Sequence, residues 1–343
     1  MKNSEAFYFI GHLIAIDRTA GRRKDILVQI ESGAVDWDKV VKLASDQLVL
    51  PLLYVKLRDA RLLNSLPEGL ADHLKMVYDL NLRRNSQLLD QANEIANCLC
   101  RVGIKPIFIK GVANLLSGLY NDLGERMMLD IDFLVKQEDI EAAAQALSTI
   151  GYQTYTGEMY WDKSTKHYPR LTNPNRISDI EMHFNPASEK ACIDFGYADI
   201  RSRALERETY CIPSDSDGLR INFLHAMYDN KGYSRHKISL RDANEVYLFS
   251  LQLQLSDEIL DSKQSKVLDA YLLTVKMILG LNDSFYRSKN LSNRIFAQRH
   301  RSRLDSALAN KMAKMVDNFV WLILKARTYL EKIIFRSRKS NLL

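Results

Sequence analysis

The sequence predicts an α+β protein, a small mixed β-sheet core set between helical N- and C-terminal regions, and three observations predict it. Apolar residues recur at three- and four-residue steps over much of residues 1–103, the period of amphipathic helices. Short β-branched and aromatic runs replace that pattern between residues 105 and 184. Helical periodicity then returns from about Asp217. The predicted boundaries are therefore 1–103, 104–212 and 213–343, and a chain of 343 residues with 46% hydrophobic content can bury a substantial core.

In the first region, 37–62 and 70–103 each read as a helix, with Leu66-Pro67-Glu68-Gly69 as the break and Gly103 as the stop. KPIFIKG (105–111) reads as a strand, 112–120 as a helix, NDLGER (121–126) as a loop and LDIDFLV (129–135) as a second strand. QEDIEAAAQALSTIG (137–151) has acids in its first turn and glycine past its end, as the helix dipole and a left-handed cap favour. KHYPRLTN (166–173) and RISDIEMHF (176–184) read as a hairpin around Pro174-Asn175. The last predicted helix, 312–335, is amphipathic and basic, with a stripe from Met315 through Phe319, Leu322, Ala326 and Leu330 to Ile333 that suits a core or subunit contact.

Composition narrows the function classes. The longest apolar run without proline, FVWLIL (319–324), is far short of the roughly 20 residues that a membrane-spanning helix needs. The N-terminal apolar patch is interrupted by His12 and Asp17 and has no small-residue cleavage site, so no secretion signal is read and the cytoplasm is the expected location. Cys98, Cys100, Cys192 and Cys211 form neither a disulfide framework nor a zinc spacing. The net charge of +6 is uneven: residues 284–343 hold 14 Lys/Arg against 3 Asp/Glu, a local +11. That tail could touch nucleic acid or an anionic membrane surface, but it carries no nucleic-acid reader motif, and a solvated helix face is the favoured reading.

The chemistry lies in RMMLDIDFLV (126–135). Side chains alternate along a strand, so Asp130 and Asp132 project from one face and Ile131, Phe133 and Val135 from the other. Two close carboxylates repel unless a cation sits between them, and a hard divalent ion such as Mg²⁺ takes carboxylate oxygens and keeps positions open for phosphate. An isolated pair would read as charges guarding an edge strand. Three neighbours favour a site: Lys110-Gly111 at a strand-to-helix junction, Glu181 sharing a strand face with Asp179 and His183, and Arg126 in the loop before the aspartates.

The segment IKGVANLLSGLYNDLGERMMLDIDFLV (109–135) resembles the signature of poorly characterised bacterial nucleotidyltransferases of the DNA polymerase beta superfamily. The likeness continues through 138–152, the HYP stretch at His167 and IEMHF (180–184), with weaker echoes at 43–57 and 221–249. It implies a catalytic core in which Asp130 and Asp132 bind Mg²⁺, as a two-ion centre, and Glu181 is the third catalytic acid. Lys110, Gly111, Arg126 and His183 would then contact an NTP such as ATP. Where the superfamily has a Gly-Ser turn, Val112 follows the glycine here. The implied reaction moves a nucleoside monophosphate from the NTP to an acceptor that the sequence does not identify, whether small molecule, protein or RNA. The alternative is a catalytically silent nucleotide-binding scaffold acting through its basic C-terminal helices. For Arg126 a surface pairing with Asp122 or Glu125 competes with a phosphate contact, and His225 and His236 read first as helical packing, with acceptor-substrate binding as the other reading.

Overall fold

In a computed structural model, residues 1–18, 20–154, 166–188, 195–253, 264–281 and 290–306 are described. The fold is α+β, as the sequence predicts, with a seven-stranded mixed sheet among many helices.

Helices α1 (Asn3–Ile14), α2 (Ala20–Glu31), α3 (Trp37–Asp46), α4 (Leu50–Asp59) and α5 (Leu70–Cys100) build the N-terminal part. The single helix expected over 37–62 is two. The chain turns at Leu48, whose φ is 57°, and Pro51 falls in the first turn of α4, where its missing N–H costs no hydrogen bond. Asp36 caps α3 by accepting from the Lys39 backbone N–H at 3.1 Å. The long helix α5 begins and ends where expected, after Gly69 and before Gly103. On it Cys98 is buried and Cys100 exposed, the ordinary packing expected of residues two apart.

The sheet order is β3-β4-β5-β2-β1-β7-β6, with β1 (Ile107–Phe108), β2 (Ile131–Leu134), β3 (Gln153–Thr154), β4 (Leu171–Thr172), β5 (Ile180–His183), β6 (Leu205–Glu206) and β7 (Cys211–Ile212). The central strand β2 is antiparallel to β1, through Ile107 opposite Leu134, and parallel to β5. The expected hairpin exists as β4 antiparallel to β5, with a further bridge from His167 to His183. The strand expected over 129–135 is shorter, so Asp130 precedes it while Asp132 lies within it. Strands β3, β6 and β7 gave no clear alternation, being only two residues each.

Helices α6 (Lys110–Leu116) and α7 (Ile140–Ser148) follow β1 and β2, and α8 (Tyr197–Arg203) precedes β6. Then α9 (Asp215–Leu224) runs into a π-helical turn at His225–Asp229, followed by α10 (Gly232–Arg235), α11 (Leu240–Gln252), α12 (Ser265–Leu279) and α13 (Leu291–Asp305). Buried apolar side chains form one cluster running from Ala6 in α1 through Phe133 in β2 to Phe296 in α13. The helix expected over 312–335 lies outside the described residues.

Candidate active site

Parallel pairing of β2 with β5 sets Ile131 opposite Ile180 and Asp132 opposite Glu181. The alternation that buries Ile131, Phe133, Ile180 and Met182 in the core turns both acids to the other face. His183, two residues after Glu181, joins them, and one ligand atom from each of Asp132, Glu181 and His183 lies within 4.8 Å of the others.

The cluster has its own cations. Lys110 is the first residue of α6, with φ at 56°, a left-handed conformation uncommon for a residue with a side chain. Its Nζ lies 2.6 Å from Asp132 Oδ1. His183 Nε2 lies 2.8 Å from the same oxygen and 3.5 Å from Glu181 Oε2. Arg170 reaches Glu181 Oε1 at 2.5 Å. Burial opposes the charge on Asp132, but Lys110 and His183 outweigh it and hold its carboxyl far below the ordinary range. The hydrogen bond from His183, aided by Arg170, brings Glu181 down to about 2.

Asp130 differs from its partner. It faces the same cavity, yet it lies outside the tight cluster, and burial together with the charges of Asp132 and Glu181 pushes its carboxyl up. Three carboxylates around one space, one of them resisting ionisation, fit a hard divalent cation: Asp130, Asp132 and Glu181 offer oxygen donors of the type Mg²⁺ prefers. His183 is fully buried, and it is not among the residues lining the cavity. The polar contacts that the structure gives its imidazole are with Asp132 and Glu181. Asp179 remains a flanking acid, 42% exposed, with Arg170 at 3.8 Å.

The cavity measures about 270 Å³. Lys110, Gly111, Arg126, Asp130, Asp132 and Glu181 line one side of it. Gly111 is packed from above: a Cβ there would come within 2.7 Å of Met128 Sδ and 3.4 Å of Arg126 Nη2. Its lack of a side chain thus lets the loop carrying Arg126 and Met128 close over the first turn of α6.

Arg126 does not lie in a surface loop and pairs with neither Asp122 nor Glu125. It is buried, and its Nε donates to Glu245 Oε1 of α11 at 2.6 Å. Asn81 and Asn85 of α5 both donate to the Arg126 carbonyl, at 3.1 and 2.7 Å, and so fix the loop from the opposite side.

Sequence reasoning singled out only His225 on the second wall and missed the rest. Asn222 near the end of α9, His225 at the start of the π turn, Arg241, Asp242 and Glu245 in α11, and Lys166 all face the cavity. Lys166 is held by Asp229 at 2.6 Å, at the end of the π turn. The available signal was the faint family likeness over 221–249 and the spacing of Arg241, Asp242 and Glu245, which sets them along one helix face.

A family model described as an uncharacterised nucleotidyltransferase matches residues 33–272, well over half of the chain and all of the residues just described. No curated protein matches it.

Proposed function

The chain belongs to this family of uncharacterised nucleotidyltransferases, and from that premise we propose that it is a Mg²⁺-dependent enzyme of the polymerase beta-like type that transfers a nucleoside monophosphate from an NTP to an acceptor. The observation that carries the reading is the register of Asp132 opposite Glu181 with Asp130 beside them on one cavity.

Asp130, Asp132 and Glu181 are the residues that would hold the metal. When bound, Mg²⁺ supplies charge neutralisation at the phosphates and alignment of an in-line displacement. Held at about 2, Glu181 stays a carboxylate across the physiological range, which suits a ligand better than a proton acceptor. Lys110 neutralises Asp132 and stands where a phosphate oxygen could share its ammonium. Arg126 brings a permanent cation to the same space, oriented by Glu245. His183 fixes the two strand carboxylates in position.

Thermal shift with each NTP, with and without Mg²⁺, on the wild type and Asp132→Asn tests this. Metal-dependent stabilisation that the substitution alters is expected. Equal shifts without metal in both proteins would instead favour the catalytically silent scaffold. Labelled NTP incubated with cell extract then identifies the acceptor by the label it acquires.

A further inference from the structure

Arg241 stands on the wall contributed by α11, and no hydrogen bond among the described residues uses its guanidinium. Its Nε is buried without a partner, and the nearest acid, Asp242 Oδ1, is 3.7 Å away, beyond hydrogen-bonding range. A guanidinium has five N–H donors and no acceptor, and with Nε buried it is the Nη groups that remain to meet a ligand with oxygen acceptors in the cavity.

Its surroundings select the ligand. Across the same cavity Arg126 has Nε on Glu245 and Nη1 on the Met127 carbonyl, while its Nη2 has no partner among the described residues. Two of the acids nearby are already engaged: Glu245 uses one oxygen for Arg126 and the other for Asn222 Nδ2 at 2.8 Å. Asp229 uses one for Lys166 and the other for the Ser188 backbone N–H. Open donors on the two arginines, one from each wall, therefore face the space that Lys110, Asp130, Asp132 and Glu181 also line. Planar forks of this kind match phosphate oxygens.

We propose that Arg241, together with Arg126, clasps the terminal phosphates of the donor, so that α11 forms part of the triphosphate site. This rests on the nucleotidyl-transfer reading and extends it to residues from the C-terminal helices. Lys166, fixed by Asp229, borders the same tail.

Isothermal titration with inorganic tripolyphosphate, ATP and AMP in Mg²⁺ buffer tests the assignment on wild type, Arg241→Gln and Arg241→Lys. Loss of charge-assisted hydrogen bonds should weaken tripolyphosphate and ATP roughly tenfold or more in Arg241→Gln, with AMP affinity unchanged and partial recovery in Arg241→Lys. Wild-type affinity for tripolyphosphate in Arg241→Gln overturns the clasp and leaves the enzyme reading standing. Failure of the wild type to bind either triphosphate overturns both. Should the glutamine variant not fold, phenylglyoxal modification of the wild type decides: Arg241 should react in the free protein and be protected by tripolyphosphate, and equal reaction in both samples would sink the proposal.

Discussion

Glu181 stands opposite Asp132 in the parallel pairing of β5 with β2, and a single imidazole nitrogen, His183 Nε2, lies 3.5 Å from the first and 2.8 Å from the second. Side-chain alternation alone would bring the two carboxylates together and leave them to repel. Lys110 from α6 and Arg170, which precedes β4, supply the remaining opposition. Both acids are thereby kept ionised in a largely buried setting.

The first consequence concerns pH. The Glu181 carboxyl falls from an ordinary 4.5 to about 2 on folding, mainly through His183. A depressed carboxylate contributes stability that is fully present above its unfolded value and is lost as pH falls through the folded one. Wild type should exceed Glu181→Gln by ~3 kcal/mol near neutrality, with the advantage shrinking between about pH 4.5 and 2. Urea denaturation of both proteins across that range checks it; a pH-independent difference would show that His183 does not act on Glu181 in this way.

Glu125 has the opposite sign. Burial, more than any neighbour, raises its carboxyl from 4.5 to about 7. An acid raised on folding holds its proton longer in the native state, so stability is lost as pH climbs from the unfolded value through the folded one. Glu125→Gln removes that loss, and it should match the wild type near pH 4.5 and exceed it by a few kcal/mol at pH 8. A variant less stable than wild type at both pH values contradicts the assignment.

Lys110→Met removes the cation nearest Asp132 and leaves Asp130, Asp132 and Glu181 together without it. Breaking a buried pair from one side costs about 3–5 kcal/mol. The variant should lose stability on that scale in guanidinium titrations, and Mg²⁺ should restore part of the loss. Unchanged stability without metal would mean that the 2.6 Å contact contributes little.

Much of this site is written locally in the chain. Asp130, Asp132 and Glu181 stand out because alternation over a few residues assigns each a face, and Lys110-Gly111 marks the strand-to-helix junction directly. What local pattern could not supply was distance. Arg126 and Glu245 are 119 positions apart, so nothing near either residue indicates its partner, and a loop arginine among Asp122 and Glu125 looks like a surface residue. The break at Leu48 was hidden because apolar spacing persists through it, with Pro51 as its sole marker. Gly111 was legible as a glycine that permits close approach, but the approaching group is Met128, from a loop whose path depends on Asn81 and Asn85 in the distant helix α5.

That loop has a second close approach, at Gly124. A Cβ there would lie 2.2 Å from the Tyr78 ring, whose hydroxyl donates to Asp122 at 3.0 Å. Gly124→Ala should therefore force the ring or the loop aside at a cost of about 1–3 kcal/mol. Thermal unfolding measures the loss, and a variant as stable as wild type would show that Tyr78 yields freely.

The pairing of Arg126 with Glu245 separates into parts that a double-mutant cycle can measure. Each ion is buried, so Arg126→Met alone leaves a carboxylate with Asn222 as its remaining partner, and Glu245→Met alone leaves a guanidinium without its acid. Either single change should cost about 3–5 kcal/mol, while replacing both by apolar side chains of similar volume should cost much less than their sum, because no uncompensated charge remains. If the coupling is large, stability comes from matching the two charges, and their retention is explained by what Arg126 does in the cavity. Additive losses in urea denaturation would instead assign each residue its own independent packing role. NTP affinity then distinguishes the two sides of the pair: the double variant should fold, yet bind an NTP more weakly than wild type, since the cation that faces the cavity is gone.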